Sequence, residues 1–235
     1  NTLLMSFTSH AINATLYPSL PFDPVKDFTA LTCVATSPSI LVAHPSVPAK
    51  DVRELIALAK SKPGQLNFAI GAVGSSLHMA GEAFKMQSGV DIVNIPYKGT
   101  APAVQDLLAG QVQLMFAAVG NVKAHIQAGK LKALGVTTAQ RLPAFPDVQA
   151  IAEVLPGYES SAWFGLFGPA RMAADNARKI SDAARQALQQ ADMRQRLDTE
   201  GALPVGNSPE QFTAFVQSEI VRWAQVVKFS GAKPE

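Results

Sequence analysis

Short apolar stretches alternate with helix-like stretches through the middle of the chain. "LNFAI", "DIVNIPY" and "QLMFAAV" are each followed by a run with helical periodicity. Strands that alternate with helices of about ten residues predict βαβ units, and hence an α/β protein whose mostly parallel sheets are flanked by helices. In such sheets ligands lie beyond the carboxyl ends of the strands, where the next helices begin. If the three strands are neighbours, the junctions at 71–76, 97–100 and 117–121 therefore open on one crevice.

The pattern is less regular on either side of this region. The chain opens with the strand-like "NTLLMSF", and two β-rich runs, "ALTCVAT" and "SILVAHPSV", follow with a turn predicted between them at Ser37–Pro38. Asp51 and Glu54 stand at the cap and N3 positions of a helix predicted over about 51–62. The last helix is predicted to begin after Ser208, because proline occupies its first position and glutamine its third.

Composition limits the classes of protein that fit. The 235 residues are 48% hydrophobic and 16% charged, as in a globular protein with a substantial core. A net charge of +2 without blocks of like charge gives no support to a nucleic-acid partner. The single cysteine, Cys33, excludes an internal disulfide and is predicted to be a buried, inert thiol. No apolar run reaches the roughly 20 residues of a membrane span, and no signal peptide is recognisable, so direct membrane insertion is not predicted.

The junction at 71–76 departs from every catalytic template tested. "GAVGSSLHMAGEAFK" lacks the lysine of a phosphate loop, the second glycine of a dinucleotide loop and the G-x-S-x-G of a nucleophile elbow. His78 and Glu82 have the spacing of metal ligands on a helix, but no third ligand is signalled, and the alternative is a histidine bonded to the neighbouring backbone. No nucleophile, base and orienting group can be assigned, so no enzyme activity, cofactor or metal is predicted.

Anion binding fits these junctions better. Free N–H groups at a helix N-terminus, with serine hydroxyls and the positive end of the helix dipole, favour a negatively charged group. Ser75 or Ser76 can equally serve only as the helix cap. At 96–100, "PYKGT" offers a phenol, an ammonium and a hydroxyl, or is an ordinary turn. Two such junctions opening on one crevice favour anion capture more than either does alone.

Several phrases, in order, resemble the Bug-type receptors of tripartite tricarboxylate transporters. They include "YPSLPFDPVKDF", "GSSLHMAGEAFK", "IPYKGTAPAVQDLLAGQVQLMF" and "AWFGLFGPA". The resemblance implies a two-lobed type 2 periplasmic binding protein fold, with 1–37 and 161–235 in the first lobe and 38–160 in the second. It implies an exported, periplasmic receptor that captures a small organic carboxylate between its lobes, for uptake through membrane transporter subunits or for sensing. The lobes would close by a hinge motion near 34–40 and 160–166.

The family's binding loops fall on both lobes of this sequence. They are Ser6, Thr8 and Ser9 in the first lobe, and Gly74, Ser75, Ser76, His78, Tyr97, Lys98, Gly99, Thr100, Ala118 and Val119 in the second. Members usually begin further upstream, with a strand and a proline-glycine-rich loop that contacts a ligand carboxylate, so the first lobe is expected to be N-terminally truncated. Many relatives carry Asp-Asn at Ala117–Ala118. Because a carboxylate there could hold an ammonium group, its absence predicts plain carboxylic acids rather than amino acids as ligands.

Two other classes remain open at this point. A ligand-sensing effector domain of a transcriptional regulator can share this fold, and it would need a DNA-binding helix-turn-helix upstream. An enzyme of unknown type is the third possibility, with no constellation of residues behind it.

Overall fold

The structure is a computed structural model that describes residues 2–234. The elements, in chain order, are β1 (Leu4–Phe7), α1 (Ser9–Leu16), β2 (Phe28–Ala43), α2 (Val52–Ser61), β3 (Asn67–Ile70), α3 (Ser76–Ser88), β4 (Val93–Pro96), α4 (Thr100–Leu108), β5 (Leu114–Ala118), α5 (Val119–Gln127), β6 (Lys132–Val136), a short 3-10 turn (Ile151–Glu153), β7 (Ser161–Pro169), α6 (Ala174–Leu188), α7 (Ala191–Thr199), β8 (Leu203–Pro204) and α8 (Pro209–Ser230). They form two compact units: residues up to 37 together with those from 162 onward, and residues 38–161.

The first unit packs α1 against α8 beside antiparallel strand pairs. β1 pairs with β7, and the first part of β2 pairs with β8. Trp163 and Trp223 are buried, and their indole N–H groups donate to the buried carboxylate of Glu219 over 3.0 and 2.9 Å. A buried carboxylate with two such donors is satisfied by them, and this cluster therefore belongs to the packing of the unit.

The second unit is built on a sheet with the strand order β6, β2, β5, β3, β4. β3 lies between β5 and β4 and runs parallel to both. Buried residues from β2, β5 and α4, among them Ile40, Met115 and Leu107, form its core. These neighbouring parallel strands carry the three junctions that the sequence indicated.

The α/β class predicted from the alternation is confirmed, but the sheets are mixed. β2 pairs antiparallel with both β5 and β6, and the β1–β7 and β2–β8 pairs of the first unit are antiparallel as well. Alternation along the chain constrains strands that follow one another. The partners of β2 come much later in the sequence, so their direction could not be predicted from that pattern.

The turn predicted at Ser37–Pro38 is wrong, because β2 runs unbroken for 16 residues. Ala35 and Thr36 pair with β8, whereas the pairing with β5 begins at Ser39. Pro38 falls between these two sets of partners.

The predicted helix starts are confirmed. Asp51 caps α2, with its side chain accepting from Glu54 N–H over 2.8 Å. Ser208 caps α8 in a capping box with Gln211. Burial raises the pKa of Cys33 to about 12, which makes this thiol unreactive, as expected.

Across residues 2–234, no helix combines the length and the apolar character that a membrane crossing requires.

Candidate functional site

The three predicted junctions lie at the same edge of the sheet in the second unit. β5, β3 and β4 are adjacent and parallel, so their carboxyl ends meet the starts of α5, α3 and α4 at that edge. Tyr97 N–H donates to Ile70 O over 2.8 Å, and Gly99 N–H donates to Gly71 O over 2.9 Å. These two hydrogen bonds hold the junctions after β3 and β4 side by side.

Glycines make this close approach possible. A Cβ on Gly71 would lie 3.1 Å from Thr100 N and 3.2 Å from Gly99 C, both of which are backbone atoms. Gly74 and Gly99 have φ angles of +74° and +111°, a region that other residues rarely adopt. The shape of this edge therefore depends on glycine at all three positions.

The start of α3 presents backbone donors that have no acceptor within the helix. Ser75 is the N-cap, and its hydroxyl accepts from His78 N–H over 3.2 Å. By helix geometry, the N–H groups of Ser76 and Leu77 lack an intrahelical acceptor, and they lie at the positive end of the helix dipole. Ser75 thus has the capping role weighed from the sequence, while the half-buried Ser76 does not cap.

The start of α4 adds a charge and a hydroxyl. Gly99 is its N-cap and offers no side chain, Thr100 is the first helical residue, and Lys98 beside them is exposed. The Tyr97 hydroxyl donates to Asp106 Oδ2 over 2.8 Å, and burial together with this bond raises the pKa of Tyr97. The phenol is therefore hydrogen-bonded to a residue of α4.

The start of α5 is apolar. Ala118 is its N-cap, and Val119 is buried in the core, so this junction offers backbone groups and a methyl group. Ser39 of β2 lies opposite Ala118 in the sheet. The Ser39 hydroxyl lies 3.0 Å from Thr137 Oγ1, which follows β6, and both residues are buried.

The sequence pattern did not indicate Ser39 and Thr137 as residues of this edge. Thr137 had a usable signal, since it is a hydroxyl residue directly after the strand-like "KALGV". Ser39 had none, because its place at this edge follows from the antiparallel pairing of β2.

His78 is buried, and its Nδ1 accepts from Gly74 N–H over 3.0 Å. The alternative reading from the sequence, a histidine bonded to the neighbouring backbone, is therefore confirmed. Within the described part of the chain, no three histidine, cysteine, aspartate or glutamate side chains come together as metal ligands would.

The predicted residues of the first unit lie at the junction between β1 and α1. Thr8 is buried, and its hydroxyl accepts from Trp163 N–H over 2.9 Å, which places it in the core. Ser6 Oγ lies 3.4 Å from His10 Nδ1, and Ser9 is the half-buried first residue of α1. Of these hydroxyls, that of Thr8 is already used in packing.

Known proteins with similar sequences and structures identify the family. The model named "Tripartite tricarboxylate transporter family receptor" matches residues 1–231. Protein BugT of Bordetella pertussis is 35% identical, over 99% of this chain and 72% of its own length. The R. palustris protein Rpa4515, solved with adipate, is 33% identical with a TM-score of 0.85, over 100% of this chain and 79% of that one. MatC of Rhodopseudomonas palustris, solved with bound malate, is 34% identical with a TM-score of 0.80, over 96% and 79%.

The family match spans nearly the whole chain, and the similar structures are periplasmic binding proteins in fold. The phrases that resembled Bug-type receptors thus predicted the family correctly. The chain belongs to the tripartite tricarboxylate transporter receptors, a family of solute-binding proteins.

Proposed function

We propose that this protein is a periplasmic receptor that binds a small organic carboxylate and delivers it to a membrane transporter or a sensing partner. The observation that carries the proposal is the joined pair of junctions after β3 and β4, which brings two helix N-termini to one edge. Adipate and malate, the molecules in the two structures of similar proteins, are both dicarboxylates. The regulator alternative gains no support from these relatives.

The groups at this edge suit the capture of a carboxylate. The N–H groups of Ser76 and Leu77 can donate to one carboxylate, and the Thr100 hydroxyl and Lys98 can serve the same or a second one. Hydrogen bonds to an ionised acceptor are shorter and stronger than neutral ones. Since these groups donate and none pairs a nucleophile with a base, we propose binding without catalysis.

We further propose that the ligand is a plain acid and not an amino acid. At the start of α5 the protein presents the methyl group of Ala118, and the hydroxyls of Ser39 and Thr137 beside it are paired with each other. A ligand ammonium group at this junction would meet no carboxylate, and burying an unpaired charge is costly.

Matched pairs of ligands test both parts of the proposal. Calorimetry on the full-length protein would compare adipate with 2-aminoadipate, which carries an added amino group, and malate with aspartate, in which an amino group replaces the hydroxyl. Thermal shift gives a second readout, since a ligand at a hundredfold excess over its Kd stabilises the native state by about 2.7 kcal/mol. We expect at least one plain acid to bind and its amino analogue to bind more weakly. Absence of binding by any acid would refute the receptor assignment for these probes, and tighter binding of an amino analogue would refute the specificity.

A further inference from the structure

A buried polar cluster lies directly behind the junction at 71–76. It consists of His78, Glu82 and Lys85 on α3 and Asn94 on β4. Asn94 Nδ2 donates to Glu82 Oε1 over 2.6 Å and lies 3.2 Å from His78 Nε2. Lys85 Nζ lies 2.5 Å from Glu82 Oε1 and 3.3 Å from Ile92 O. His78 and Glu82 are only 4% and 2% exposed, so this cluster is part of the interior of the second unit.

The carboxylate of Glu82 is held in its ionised form. Burial alone would raise the pKa of Glu82, but the neighbouring His78, Asn94 and Lys85 outweigh it, and the pKa is lowered overall. Asn94 and Lys85 both contact one oxygen of this carboxylate, Oε1. His78 Nε2 lies 3.6 Å from the same oxygen, a contact longer than a hydrogen bond.

The hydrogen bond from Gly74 defines the role of one ring nitrogen of His78. Gly74 N–H donates to Nδ1, so Nδ1 is an acceptor, and Nε2 is directed toward Glu82 and Asn94. A buried histidine that packs against Glu82 and Asn94 and accepts from a backbone amide connects the cluster to the loop. The residue that it holds, Gly74, is buried and has a φ angle of +74°.

We propose that His78 is a positioning residue for ligand capture and does not itself contact the ligand. This inference rests on the proposed function, because it concerns the same edge of the sheet. By fixing the Gly74 amide inward, the imidazole sets the loop conformation in which Ser75 caps α3 and the next two N–H groups remain available. Without an acceptor at Nδ1, the buried Gly74 N–H must turn toward water to find another acceptor. The loop would then change conformation and displace the neighbouring N-cap, Ser75.

Two substitutions at His78 separate the two nitrogens of the ring. In His78→Asn the amide oxygen takes the place of Nδ1 and can still accept from Gly74, whereas in His78→Gln the amide reaches toward Glu82 and leaves Gly74 without an acceptor. With adipate and malate as probes in calorimetry, we expect His78→Asn to stay within about threefold of the unmodified protein. We expect His78→Gln to lose about tenfold in affinity, a change of about 1.4 kcal/mol. Amide hydrogen exchange at Gly74 should remain slow in His78→Asn and become fast in His78→Gln.

A stability control distinguishes positioning from general damage. Lys85→Met removes the ion pair at the far end of the cluster, so it should lower Tm while leaving the affinity and the Gly74 exchange rate unchanged. Equal losses of affinity in both His78 variants, in proportion to their losses in Tm, would assign His78 a merely structural role. Unchanged affinity and slow Gly74 exchange in His78→Gln would also overturn the inference. If the unmodified protein binds neither probe, the proposed function fails for these acids, and Gly74 exchange alone then decides whether His78 positions the loop.

Discussion

The junctions after β1 and after β3 carry the same residue types and use them differently. Each has hydroxyl side chains at the end of a strand and a buried histidine in the first turn of the next helix. After β1, the Thr8 hydroxyl accepts from Trp163 N–H in the core. His10 Nε2 donates to Pro24 O over 2.7 Å, and its ring stacks on Phe167, with ring centroids 4.6 Å apart. These contacts fix the packing of the first unit.

After β3, the corresponding groups fix the conformation of the loop at the edge of the sheet. The Ser75 hydroxyl caps its own helix, and His78 accepts from the backbone of the loop. The glycines explain this difference, since Gly71 allows contact with the next junction and Gly74 adopts a positive φ angle. The β1 junction has no glycine. Hydroxyl side chains and a histidine near the start of a helix therefore do not by themselves indicate a binding site. The backbone must also be free to present its N–H groups.

The largest effect on ligand binding is expected from Gly71→Val, which removes the feature that distinguishes the β3 junction. Its side chain would push apart the backbone at Gly99 and Thr100, so we expect adipate or malate affinity to fall by tenfold or more, about 1.4 kcal/mol. Calorimetry measures the affinity and circular dichroism the Tm. Gly129→Ala is the control, because it introduces a side chain at φ +68° with no atom within 4 Å. It should lose about 1 kcal/mol of stability through backbone strain alone and keep its affinity.

Thr8→Val tests the packing role of the β1 junction. The substitution leaves the buried Trp163 N–H without its acceptor, so the free energy of unfolding should fall by about 1–3 kcal/mol. Urea denaturation measures this loss. Thr8→Ser keeps the hydroxyl and should recover most of the difference. A Thr8→Val protein with unchanged stability would show that the hydrogen bond contributes little.

Lys98→Gln tests the charge at the edge of the second unit. The exposed ammonium makes no described ion pair, so its removal should leave Tm unchanged while weakening dicarboxylate binding by about threefold. The weakening should shrink as salt is added, because salt screens exposed charges. Lys123→Gln, an exposed lysine on α5, is the matched control. Equal effects of the two variants would mean that only overall charge matters.

The smallest effect expected is a pH dependence that arises from Glu82. Its pKa is lowered in the folded state, so its contribution to stability is present above the unfolded value of about 4.5 and is lost as the pH falls through the folded value. Below about pH 4.5, the Tm of the unmodified protein should therefore decline more steeply than that of Glu82→Gln. Thermal unfolding of both proteins across this range gives the difference curve. A flat difference curve would show that Glu82 titrates alike in the folded and unfolded chain.

Local hydrogen bonding explains what could be predicted from the sequence. The caps at Asp51 and Ser208 join residues only three positions apart, so their partners are visible in a short window. The alternation of strands and helices, together with the rule for carboxyl ends, located all three junctions of the second unit. The family phrases added the solute-binding class, which composition and periodicity did not reach.

The amino-acid sequence by itself determined the helix starts, the α/β class, the family and the places where strands pass into helices. Only the tertiary structure decided what each polar group does at those places. The partner of Thr8 lies 155 positions away in the chain, and Ser39 and Thr137 are 98 positions apart. The physical reason is that a hydroxyl binds whichever donor or acceptor packing brings near it, and no local pattern records which strand that will be.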